Sequence, residues 1–453
     1  MPEPVLVPGV VRLRPDDQFM ILAETDAQPT HVGALLLLAA DDGGGHERLR
    51  AHLAARLPGT PLQSRLLEAP DGYDSDVWQD LARIDLDHHL VRVAHEGPWR
   101  EAELLAQVAA LSLRRLDLRR APFRIFIFDA VADRRAALYV QSHHALADGI
   151  GFQTILGLLS DAAPPAPPRA QDGVLPDDAW RRLADARFAR EAAARAAHAE
   201  RRSEALAQLE ALKADPVTRR PRTPTLKMSG PTSAMRAYAT VSLPFARVKS
   251  TAKALGGTIN DLFLALGSTA VRRLLIELDD LPETPIVANS ARSYRRPEHG
   301  LFGNRIVALH PHLATHLADP LQRLRAIQAE MRRELSRSAA DEAMLDQPER
   351  PYGARDRRAK FAARNDGAEP RLPGNVTLSN VPGPAEQLSY AGLPLLANYP
   401  VPIIGAGRFL NITSRRNAER LDLGVMADPT RIPDVERVAR LLVEALDTYE
   451  ALA

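Results

Sequence analysis

The chain has 453 residues, 45% of them hydrophobic, and no cysteine. That length allows two ordinary domains with a large core, and the missing thiols exclude disulfides, thiolate metal sites and a cysteine nucleophile, which fits a reducing, cytoplasmic setting. With 58 basic and 57 acidic residues the formal charge is +1, so no global field invites nucleic acid and any basic patch must be local.

The start, MPEPVLVPGVVRLRPDD, carries no basic-then-apolar leader. The most apolar run, Val32 to Ala40, is predicted as a buried strand and is too short to span a bilayer. HERLRAHLAARL follows with Leu49, Leu53 and Leu57 at helical spacing, and WREAELLAQVAALSLRRL is a second amphipathic helix. FRIFIFDAV and RAALYVQSHH read as two strands parted by ADRR, with GFQTILGLLSDAA as a helix after them. The proline-rich PPAPPRAQDGVLP breaks regular structure, and the alanine-rich, charged run from Asp177 to Asp215 is predicted as a long connecting helix. A second proline-rich linker, PVTRRPRTPTLKMSGP, is basic and offers Arg219, Arg220 and Arg222 to an anionic surface.

The second half restarts with a strand, AYATVSL, and a helix, FARVKSTAKAL. TINDLFLALGSTAVRRLLIEL is a long apolar helix with Thr258 near its cap. TPIVANSAR is a strand, and DPLQRLRAIQAEMRREL is a helix with Asp319 as N-cap and Pro320 at its first position. Residues 338–370 are charged and poor in apolar residues, and are expected to form a mobile loop. GNVTLSNVPGP and FLNITSRRNAERLDLGVMAD read as strands, and DVERVARLLVEALDTYEAL closes the chain as a helix.

LYVQSHHALADGIGF is the stretch with chemistry in it. Alternation along the strand puts Tyr139, Gln141 and His143 on one face and Leu138, Val140, Ser142 and His144 on the other. Adjacent histidines therefore point apart and are poorly placed to share a metal, and no metal site is expected. His144, as the last strand residue, can reach a cleft before Asp148 and Gly149 turn the chain, and an imidazole there can take a proton near neutral pH. No GxSxG elbow exists, so direct attack by an acceptor fits better than an acyl-enzyme. Spacing alone does not choose between a working base and two ordinary strand-end histidines.

HHALADG matches HHxxxDG, and with QPTHVGALLLL, TINDLFLAL, GNRIVAL, TLSNVPGP, YPVPII and FLNIT it resembles the bacterial wax ester synthase / acyl-CoA:diacylglycerol acyltransferase family from about Pro15 onward. The resemblance implies an α/β fold of two chloramphenicol-acetyltransferase-like domains, residues 1–165 and 223–453, joined by a connector at 166–222, with the active site at their interface. It makes His144 the general base, with His143 and Asp148 completing the catalytic motif and Gly149 and Arg292 as structural support, Arg292 being the expected partner of Asp148. Asn260, Ser379, Asn380 and Asn411 are candidates for the oxyanion or substrate contacts, and His31 for the acyl channel. Acyl-CoA is the implied co-substrate, with no further cofactor. A long-chain alcohol or diacylglycerol is the implied acceptor, reached from a membrane or lipid-droplet surface. Two departures leave the acceptor open to a specialised hydroxylated or amino metabolite. The family's Pro-Leu-Trp reads Pro122-Phe123-Arg124 here, and its PVSVR reads ANSAR, with Asn289 as an added polar group. A non-catalytic, condensation-like module is the remaining alternative.

Overall fold

The computed structural model describes residues 9–39, 45–164, 177–214, 222–343, 345, 352–364, 373–405 and 407–453. The first half runs β1 (Val10–Arg12), α1 (Pro15–Leu22), β2 (His31–Ala39), α2 (Gly45–Arg56), β3 (Ser64–Leu67), β4 (Val77–Asp80), α3 (Leu86–His89), β5 (Leu90–Arg92), α4 (Glu101–Ser112), β6 (Phe123–Val131), β7 (Arg135–His143) and α5 (Gly149–Leu159). The connector contains α6 (Asp177–Ala214). The second half runs β8 (Ala237–Pro244), α7 (Phe245–Ala254), α8 (Ile259–Glu277), β9 (Ala288–Ser293), β10 (Ile306–Leu309), α9 (Pro320–Glu342), α10 (Gly353–Arg364), β11 (Val376–Val381), β12 (Ser389–Tyr390), β13 (Leu393–Val401), β14 (Leu410–Asn417), β15 (Arg420–Ala427) and α11 (Val435–Glu450).

One sheet has the order β12-β13-β2-β7-β6-β5 and a second the order β10-β9-β11-β14-β15-β8, with a small β1-β4-β3 sheet beside the first. Leu49, Leu53 and Leu57 all point into the core, as their spacing requires, and pack with Leu138, Val140 and Ile155 on one face of the first sheet. The β6–β7 hairpin turns on Asp133 and Arg134, both at positive φ, the pairing that matches strand twist. In the second half Thr258 caps α8 by accepting from Asp261 N–H, while the Asp261 carboxylate accepts from Thr258 N–H at 2.9 Å. Asp319 caps α9 through Gln322 N–H at 2.7 Å.

The two halves interlock. β13, from residues 393–401, pairs antiparallel with β2, so the first sheet takes one edge from the second half of the chain. Pro400 in β13 lies on Gly424 of β15, where any Cβ would overlap the Pro400 carbonyl oxygen, and Tyr238 donates to that same oxygen at 2.8 Å. A cut at residue 222 therefore runs across strand pairing.

The 338–370 segment corrects the expectation of a loop. α9 continues to Glu342, and residues 353–364 form α10. Too few apolar residues lie in α10 for periodicity to announce it. It is held instead by Arg358 on Asp76 at 2.6 Å, Arg357 on Ser75 at 2.9 Å, and Phe361 edge-on to Phe19 of α1. Among the described residues no single helix is long and apolar enough to cross a membrane.

Candidate active site

β7 ends at His143, so His144 stands one residue beyond the strand rather than on its last position. Its backbone is held from both sides. The His144 N–H donates to Thr30 C=O at 2.9 Å, and Asn304 Nδ2 donates to His144 C=O at 2.8 Å. Asn304 is itself fixed by buried Asp17 on α1, which accepts from its backbone and side-chain amides at 2.8 Å each. His144 Nδ1 is buried without a hydrogen-bond partner, while the residue as a whole is half-buried and lines a cavity.

Asp148 is 1% exposed and caps α5, accepting from Gly151 N–H at 2.8 Å. It also accepts from Arg305 N–H at 2.9 Å and from Arg295 Nη2 at 2.9 Å. This corrects the expected pairing with Arg292, which binds Glu342 at 2.6 Å and Ser338 Oγ at 2.9 Å on α9. Arg292 is still inside β9, and its side chain lies along α9. The chain passes Asp148 only after β9 has ended, in the segment where Arg295 contacts Gly300 C=O at 2.5 Å and Gly303 bridges to Ala147. Gly149 lies against Val381, whose Cγ2 would be 3.1 Å from a Cβ there.

The cavity between the sheets measures about 890 Å³. It brings His144, Asp148, Gly149, Asn260, Arg292, Ser379, Asn380, Asn411 and His31 to one space, with His143 outside its lining. One wall is a polar ladder on the second sheet. Asn289, Thr377 and Asn411 are cross-strand neighbours, and Ser379 pairs with Thr413 one step along. Two of the expected substrate contacts are already engaged. Asn411 donates to Ile403 C=O at 2.6 Å, and Asn380 Oδ1 accepts from Ser414 at 3.0 Å. The rest of the lining mixes apolar side chains, Phe19, Met20, Val32, Val401, Ile404 and Met331 among them, with polar ones such as Gln28, Gln328 and Arg332. Arg124, the residue in place of the family's tryptophan, does not line the cavity. It sits beside His88 at 3.1 Å.

Burial pushes the His144 imidazole below its ordinary value, opposed in part by its own backbone and then by the charge of Asp148 and the Asn304 side chain. Burial also holds His31 at about 4 and His143 well below the usual histidine range. Both rings are therefore neutral at physiological pH. The residues missed from sequence are Arg295, Asn304 and Glu24. Asn304 lies within the GNRIVAL motif, and Glu24 lies seven residues before His31, but neither has a local pattern that distinguishes it from an ordinary polar residue.

A histidine fixed in the wall of a cavity between two interlocked α/β sheets fits the class of two-domain acyltransferases built on the chloramphenicol-acetyltransferase plan. The chain belongs to the wax ester synthase/diacylglycerol acyltransferase family, whose catalytic domain matches residues 13–263 and whose C-terminal domain matches residues 302–450. A Mycobacterium tuberculosis protein assigned to diacylglycerol O-acylation is 30% identical over 472 residues, covering 97% of this chain and 99% of that protein. The Acinetobacter baylyi O-acyltransferase WSD is 26% identical, covering 97% of each chain. In fold, the chain is similar to the wax ester synthase/diacylglycerol acyltransferase of Marinobacter aquaeolei VT8, with a TM-score of 0.68 at 24% identity over 97% of this chain and 99% of that one.

The Asp148–Arg295 pair is nearly dry, with side chains 1% and 7% exposed. Removing one partner of such a pair costs about 3–5 kcal/mol. Arg295→Ala should lower unfolding stability by that order in chemical denaturation. Arg292→Ala, whose pair is more exposed, should cost less than about 1 kcal/mol. Equal losses would contradict the assignment of Arg295.

Proposed function

We propose that the chain transfers an acyl group from acyl-CoA to the hydroxyl of a long-chain alcohol or diacylglycerol, with His144 as general base and no acyl-enzyme. The observation that carries this reading is the His144 ring at the cavity, held in its neutral form by burial and clamped through both its N–H and its C=O. The imidazole takes the hydroxyl proton as that oxygen attacks the thioester carbonyl. The tetrahedral oxyanion needs donors from the cavity wall, for which Asn260 of α8 and Ser379 of the ladder are candidates, both lining the cavity. Collapse breaks the carbon–sulfur bond, and the imidazolium returns its proton to the departing thiolate.

Acyl-CoA as donor is supported by Arg408. It lines the cavity at the end where β11 and β14 begin, and its guanidinium donates from Nε to Pro373 C=O at 3.2 Å. No carboxylate is paired with it among the described residues, and burial lowers its guanidinium to about 10, so a phosphate is a fitting counter-charge. The polar ladder favours a second reading, in which the acceptor is a smaller hydroxylated metabolite rather than a lipid.

Free-thiol release across fatty alcohols, diacylglycerol and hydroxylated small molecules separates these acceptors. His144→Ala should lose about 10² to 10⁴ in rate, and normal turnover by a folded variant would reject the base. In the same assay Arg408→Ala should raise KM for acyl-CoA while leaving KM for an acyl thioester without phosphates unchanged.

We also propose that the protein works at a lipid surface from the cytoplasm, as a peripheral partner of a membrane or lipid droplet. Phe19 and Leu335, 42% and 46% exposed, both line the cavity and support an apolar rim at its mouth. Arg219 and Arg220 of the basic linker lie outside the described residues, and Arg222 is exposed. Phe19→Ser with Leu335→Ser should reduce co-sedimentation with phosphatidylcholine/phosphatidylserine vesicles, and unchanged binding would remove the rim from this role.

A further inference from the structure

Glu24 lies in the connection between α1 and β2, and its side chain is 3% exposed. Its Oε1 accepts from Thr30 N–H at 3.0 Å. Thr30 C=O in turn accepts the His144 N–H at 2.9 Å. The same Oε1 is 3.7 Å from His143 Nε2 and 3.5 Å from His31 Nε2. His143 Nδ1 accepts from Ala145 N–H at 3.1 Å, so the proton of the neutral His143 ring sits on Nε2, the atom facing Glu24. On its other oxygen, Glu24 accepts from Arg115 Nε and Nη2 at 3.1 and 2.9 Å. The cation thus leaves Oε1 free for the histidine side.

Two chains of contacts start at this carboxylate and end on either side of His144. One runs through Thr30 to the His144 N–H. The other runs through the His143 ring to the Ala145 N–H. The residue that must present a proton acceptor to the cavity therefore has its position set from a group that never touches the cavity contents, since Glu24 is absent from the lining. A backbone amide donates to this carboxylate and the Nε2–H of the neutral His143 ring faces it at 3.7 Å, so one buried acceptor serves the Thr30 strand entry and the His143 side of the turn.

We propose that Glu24 is a positioning residue for His144, fixing the turn at residues 143–145 through Thr30 and His143. This rests on His144 being the base, and the two ideas fail differently: an active His144→Ala variant sinks the base, whereas an inactive His144→Ala beside a fully active Glu24→Ala sinks only the positioning role.

The test is steady-state kinetics with acyl-CoA and the best acceptor found, alongside thermal melting. Misplacement of a reacting group by about 1 Å can cost on the order of 10²-fold. Glu24→Ala is expected to lower kcat by that order with KM for acyl-CoA unchanged. Glu24→Gln keeps an oxygen for Thr30 N–H and should lose less, and it serves as the readout if Glu24→Ala does not fold. The double variant Glu24→Ala/His143→Ala should be no slower than the worse single variant, because both act through one turn. Unchanged kcat in the folded Glu24 variants, a rise in KM that accounts for the loss, or losses that multiply in the double variant would each overturn the proposal.

Discussion

The Asp148 carboxylate is the interaction on which the rest of the site depends. It caps α5 in the first half and accepts from Arg295 and the Arg305 N–H in the second, so one buried anion closes the turn after His144 and ties that turn to the opposing sheet. Without those donors the charge would be stranded in the interior at a cost of several kcal/mol. With them, the end of β7 has one place to be, and the cavity has one geometry. Gly149 against Val381 brings the halves into contact at a further point, and Pro400 on Gly424 seats the strand lent to the first sheet on the second sheet, so the cavity is a product of the interlock rather than of either half.

The wall chemistry follows from the same arrangement. β11 and β14 run parallel beside β9, and their cavity-facing side chains fall in rows because register is shared along the sheet. The first half and α9 supply apolar side chains such as Phe19, Met20, Val32, Met331 and Leu335, while the ladder supplies hydroxyls and amides. An acyl chain and a polar thioester arm make opposite demands on a cavity, and these walls meet both. Of the adjacent histidines only His144 lines the cavity, together with His31, while the neutral His143 lies behind it.

Elements governed by local rules were legible in the sequence. The caps at Thr258 and Asp319 and the leucine spacing of α2 need only neighbours within a few residues. β13 was not, because it contains Pro394 and Pro400 and its partner β2 lies more than three hundred residues earlier. β12 covers only the start of β13, which leaves Pro400 on an edge where a missing N–H is tolerated. α10 was missed because arginine contacts hold it in place of an apolar stripe. The His144 motif was legible as a motif, and the family resemblance supplied its role. Its arginine was not: Arg292 and Arg295 differ by three positions in one stretch, and only the point at which β9 ends decides which of them meets Asp148.

The pH dependence of kcat/KM tests the central claim most directly. Burial lowers the His144 pKa from its ordinary 6.5, while its own backbone and the Asp148 charge raise it in part. The neutral base therefore persists below pH 6.5, and the rate should fall only as pH drops through that lowered value. An acid limb at or above pH 6.5 would contradict His144 as the group that takes the proton.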